Sequence, residues 1–75
     1  MNTPSTIAVH QTQDINNIDT TDEKMPIVRF APLSDFNDDL QQIHENGDLF
    51  GVYQDAKGNV AALDNQFTLH ANILA

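Results

Sequence analysis

The feature that most limits how this chain can fold is a reversal written into Asp55-Ala56-Lys57-Gly58-Asn59. Asp suits the first position of a type I turn, and Gly58 accepts the left-handed backbone that follows without a Cβ clash. Such a loop closes a short hairpin through a glycine bulge. Leu49, Phe50, Val52 and Tyr53 before it, and Val60-Ala61-Ala62-Leu63 after it, fit a pleated, half-buried surface. Leu49–Leu63 therefore reads as two antiparallel strands against which other segments must pack. Strict alternation places Phe50, Val52 and Gln54 on one face and Leu49, Gly51 and Tyr53 on the other. A calcium loop needs carboxylates at alternate positions and a distal glutamate. One Asp facing one Asn is a turn.

Two further elements precede the hairpin. Pro26-Ile27-Val28-Arg29-Phe30-Ala31-Pro32 reads as a strand, with prolines at the limits where a missing N–H is tolerated. Ser34–Glu45 reads as a helix capped by Ser34, with Asp35, Asp38 and Asp39 near a first turn that favours negative charge. Phe36, Leu40 and Ile43 fall on one stripe, and Asn46-Gly47 supplies a left-handed stop.

The ends of the chain are different. Residues 1–24 are rich in Thr, Asn, Gln and Asp and hold no aromatic, so they read as a flexible acidic leader. Within it, Thr6-Ile7-Ala8-Val9-His10 alternates like a strand able to add to a sheet edge. Asp64–Ala75 has two readings. Asp64 can cap a helix carrying Phe67, Ala71 and Leu74, or Asp64-Asn65 can be a tight turn before a strand at 66–70. The helix formers in Ala71–Ala75 favour the first. The expected fold is a small α+β domain, ordered β-α-β-β-α, over residues 25–75.

Composition excludes several function classes. With no cysteine in 75 residues, neither a disulfide framework nor a thiolate zinc site can staple the fold. Apolar packing must supply the core, which is marginal at this size. A net charge of −8 repels nucleic acid and anionic membranes and favours basic partners. There is no run of about 18 apolar residues to span a bilayer. A basic, then apolar, start of the secretory type is also missing, so the expected compartment is the cytoplasm. His10, His44 and His70 lack metal-ligand spacing, and no cofactor, metal or catalytic constellation is expected.

The strand Ile27-Val28-Arg29-Phe30, the hairpin Leu49-Phe50-Gly51-Val52-Tyr53 with Asp55-Ala56-Lys57-Gly58-Asn59, and Asp64 opening a last segment together carry a resemblance. The stretch Ile27–Ala75 is similar to a family of short alphaproteobacterial domains of unknown function. Those share a valine-arginine strand, an Asp-Gly hairpin and a terminal alanine-rich helix. This chain departs by lacking the family's C-terminal serine-histidine ending and by one extra residue in the turn. The resemblance implies a topology and no activity.

A core this small leaves little room for a catalytic pocket and its supporting shell. The expected function is non-catalytic protein binding through the hairpin face, with Leu49 and Tyr53 as contacts. The alternative is an inhibitor of a DNA- or RNA-binding protein, of the phage or mobile-element type to which anti-CRISPR proteins belong. It would set Asp35, Asp38, Asp39, Asp48 and Asp55 where a basic groove expects phosphates.

Overall fold

A computed structural model of the protein describes residues 5–18 and 26–75. The elements are β1 (Thr6–Gln11), β2 (Ile27–Pro32), a 3-10 turn (Leu33–Asp35), α1 (Asp38–Glu45), β3 (Leu49–Gln54), β4 (Val60–Asp64) and β5 (Leu69–His70). The strands form one mixed sheet in the order β2-β1-β3-β4-β5. β1 runs parallel to β3, with Val9 opposite Val52, and every other neighbouring pair is antiparallel. A parallel neighbour cannot be reached by a tight turn. The route from β1 to β3 runs through β2 and α1. In the core, the sheet residues Ile7, Val9, Ala31, Val52 and Ala62 meet Phe36, the α1 residue Leu40 and the C-terminal Ile73.

The α+β class stands, but the order β-α-β-β-α does not. A strand precedes the expected first one, and strand replaces the expected last helix. Thr6–Gln11 is β1, flanked on both sides by β2 and β3 and not at an edge. A boundary at residue 24 thus leaves out the strand on which the sheet is built. Ile7 and Val9 offset its polar composition, because both are buried. Residues 1–4 and 19–24 of the expected leader lie outside the described residues.

α1 begins later than Ser34. Asn37 is the cap, its Oδ1 accepting the Leu40 N–H at 3.0 Å. Phe36 stays extended, pairs with Leu74 and buries its ring. It therefore joins Leu40 in the core from outside the helix. The helix ends as expected. Gly47 is left-handed at φ 76°, its N–H reaches the His44 carbonyl, and the Asp48 N–H reaches that of Ile43. These two bonds satisfy carbonyls that have no partner within the helix.

The C-terminal helix is overturned by the bonds Asp64 makes. Its Oδ1 accepts from Gln66 N–H and Thr68 N–H, which holds a hairpin loop in place of a helix start. The tight-turn alternative is nearer, although its strand shrinks to Leu69–His70.

Two bulges modify the sheet. In β2 the register shifts beside Val9, leaving Val28 as the extra residue, and in β3 it shifts at Phe50. An extra residue breaks strict alternation. Leu49 can then share the core side with Val52 while Phe50 stands exposed. Among the described residues no helix is long and apolar enough to cross a membrane.

Leu40 has no exposed surface. Leu40→Ala is expected to destabilise the protein by about 2–5 kcal/mol, the cost of emptying a buried leucine site. Urea denaturation checks this, and an unchanged midpoint would place Leu40 outside the core.

Candidate functional site

Two loops of the sheet are built alike. Between β3 and β4, the Asp55 N–H donates to the Asn59 carbonyl and the Gly58 N–H to the Asp55 carbonyl. The Asp55 Oδ1 accepts from the N–H groups of Lys57 and Asn59. Between β4 and β5, Asp64 repeats the set: its N–H donates to the Thr68 carbonyl, Phe67 N–H returns to its carbonyl, and Oδ1 takes Gln66 and Thr68. Both loops need a left-handed residue at the fourth position. The first uses Gly58 at φ 88°, and the second uses Phe67 at φ 61°. A bulky residue at positive φ is a genuine outlier.

Three contacts fix the Phe67 loop in place. The Asp64 Oδ2 lies 3.0 Å from His70 Nε2. The Asn65 N–H donates to the Asp48 carbonyl, and its side-chain amide donates to that of Gly47. The loop is thereby pinned to the turn that follows α1. Phe67 meets Phe50 with ring centroids 5.0 Å apart and planes at 80°, an edge-to-face pair. Phe50 remains 44% exposed and Phe67 54%. The pair is the candidate site. Its signal in the sequence is an Asp-x-x-Phe-x loop matching Asp-x-x-Gly-x one hairpin earlier.

The expected contacts Leu49 and Tyr53 do not form an uncovered pair. Leu49 packs partly against the core, and Tyr53 is only 6% exposed. The Tyr53 ring lies along the sheet over Gly51, where an added Cβ would come within 2.9 Å of its hydroxyl oxygen. The His10 ring stands 5.9 Å away, and burial pushes the tyrosine pKa up. Asp35, Asp38 and Asp39 are exposed, the first in the 3-10 turn and the others opening α1. They share one end of the helix and are separate from the aromatic pair. Among the described residues no three His, Asp or Glu side chains group as a metal site requires.

The loop carboxylates are electrostatically committed. The hydrogen bond to His70, then that from Thr68, holds Asp64 below the usual carboxylate range. At Asp55 desolvation pushes upward, but the bonds from Asn59 and Lys57 outweigh it and the net shift is also down. Compared with known protein families, curated proteins and solved structures, the chain finds no match.

Two expectations follow from the loops. A carboxylate with a lowered folded pKa stabilises above its unfolded value and loses that contribution as pH falls through the folded value. The urea midpoint should therefore decline as pH falls below the ordinary Asp value of 3.8. The decline should be shallower in Asp64→Asn, and an identical decline would show that the Asp64 bonds do not stabilise the fold. At Phe67, relief of backbone strain is worth about 1–3 kcal/mol. Opposing it are about 0.5–1.5 kcal/mol for the aromatic pair and about 0.5–1 kcal/mol for glycine's added chain entropy. Phe67→Gly should accordingly leave stability within about 1 kcal/mol of wild type, whereas Phe36→Ala in the core should cost about 3–5 kcal/mol. Parallel denaturation of the two variants decides.

Proposed function

We propose that this is a non-catalytic cytoplasmic protein that acts by binding another protein. What supports the reading is the placement of the phenylalanines. Of four, only Phe36 is in the core; Phe30 is 65% exposed, and Phe50 and Phe67 are about half exposed. Burying such a side chain stabilises by roughly 1.5–3 kcal/mol. A 75-residue chain with a marginal core leaves about half of each of three such contributions unrealised in the free protein. Coverage by a partner recovers them. Aromatic anchors of this kind carry much of the energy in protein interfaces. On this reading the binding elements remain on the hairpin, through Phe50, but the contact shifts from Leu49 and Tyr53 to the exposed rings.

The nucleic-acid-mimicking alternative keeps one supporting observation, the exposure of Asp35 in the 3-10 turn and of Asp38 and Asp39 at the start of α1. That placement also suits the helix dipole, so it discriminates weakly. Salt dependence separates the two, because exposed charge pairs are screened and buried aromatic contacts are not.

The test uses immobilised wild-type protein and its Phe30→Ser, Phe50→Ser and Asp35/Asp38/Asp39→Asn variants, exposed to lysate of the source cells. The expected result is a protein retained by wild type, lost from a phenylalanine variant and bound directly after purification. Its affinity should fall at least about tenfold in that variant, as for loss of a hot-spot side chain. Binding that survives both phenylalanine changes but vanishes with salt or with the triple Asp variant would overturn the reading in favour of the mimic.

A further inference from the structure

We infer that the outward side of the Phe50–Phe67 pair is a seat for an arginine side chain of a basic partner, a conclusion that rests on the protein-binding reading above. The fold itself gains little from the Phe67 ring. The sister loop makes the same hydrogen bonds with Gly58 at the equivalent position. A phenylalanine held there against its backbone preference contributes chiefly to what lies outside the molecule.

The geometry and charge of the pair select the occupant. The edge-to-face contact leaves each ring about half exposed, Phe50 at 44% and Phe67 at 54%, so part of the aromatic surface meets solvent and can take a ligand. Ring faces are the negative part of the aromatic quadrupole and attract cations. The rim is acidic. Asp48 is exposed two residues before Phe50, and its carbonyl holds the Phe67 loop through Asn65. Glu45 is exposed at the end of α1. The cations among the described residues are engaged elsewhere: the Arg29 Nε donates to Gln54 at 3.2 Å, and Lys57 sits in the other loop. The chain as a whole carries −8, so a basic partner is complementary to it. Arginine fits better than lysine because a planar guanidinium stacks on a ring while its N–H groups reach a carboxylate. The exposed phenylalanine of β2 has different surroundings, since Ile27–Pro32 holds no acid.

The probe is a blocked Leu-Arg-Leu-Arg peptide, titrated into the labelled full chain and followed by amide and ring-proton NMR. Its counterpart carries citrulline, which keeps the shape of arginine without the charge. The arginine peptide should shift the Phe50 and Phe67 ring resonances and move its own δ-methylene protons upfield. It should bind about two- to fivefold more tightly than the citrulline peptide. Phe67→Gly and Phe50→Leu should each remove that preference, and Asp48→Asn should reduce it. Equal binding of the two peptides overturns the arginine seat and leaves the protein-binding reading in place. Shifts confined to Asp35, Asp38 and Asp39, unchanged in Phe67→Gly, also overturn it. Failure of the broader reading shows separately, as a natural partner whose binding ignores every exposed phenylalanine.

Discussion

The sheet depends on β1 being paired on both sides. Its antiparallel neighbour β2 and its parallel neighbour β3 both come later in the chain, so neither contact is local. Closing such distances costs chain entropy before the contacts return anything. Return comes through Ile7, set opposite Ala31, and Val9, set opposite Val52, both of which join the helix residue Leu40 in the core. The parallel relation also dictates where α1 goes, because an antiparallel strand and a helix must fit within one crossover. The small core is thus a consequence of one strand's position.

The second organising device is the carboxylate used as a loop template. Asp55 and Asp64 each gather two backbone N–H groups onto one oxygen, and each spends the other oxygen differently: Asp55 on the Asn59 amide, Asp64 on His70. A template of this strength tolerates an unfavourable residue at its left-handed position. That tolerance is what allows a phenylalanine to occupy a place where glycine is easier. Stability and surface chemistry are therefore set by different atoms of the same loop.

Much of the fold was legible in local chemistry. The Asp55–Gly58 loop, the strand at Ile27, the Leu40 core position and the Gly47 helix stop all follow from rules acting within a few residues. What was not legible depends on distant partners. Thr6–Gln11 has a leader's composition around it, and only a two-sided ladder makes a central strand of it. Phe36 belongs to the helical stripe by spacing, yet its pairing with Leu74 holds it extended and lets Asn37 take the cap. Asp64 is equally good as a helix cap or a loop template, and sequence spacing alone does not separate those uses. The aromatic pair was missed for two reasons. The bulge at Phe50 breaks the alternation from which faces are read, and a glycine-type position filled by phenylalanine shows as a turn only when the Asp64 loop is set beside the Asp55 loop.

The bulge and proline of β2 have a consequence for how the molecule meets other chains. The Leu33 N–H bond to Ser5 sets the alternation at one end, and the Gln11 N–H bond to Pro26 sets it at the other. Counting inward, the backbone groups turned away from β1 belong to Ile27, Phe30 and Pro32. The first two are three residues apart where a regular ladder needs two, and the third has no N–H. An incoming strand finds no periodic row of donors to copy. Open edges of this kind otherwise invite unlimited stacking of chains into fibrils. Here the edge can be touched by side chains at Phe30 and Val28 without being extended by backbone, so apolar exposure and resistance to fibril growth coexist on one strand.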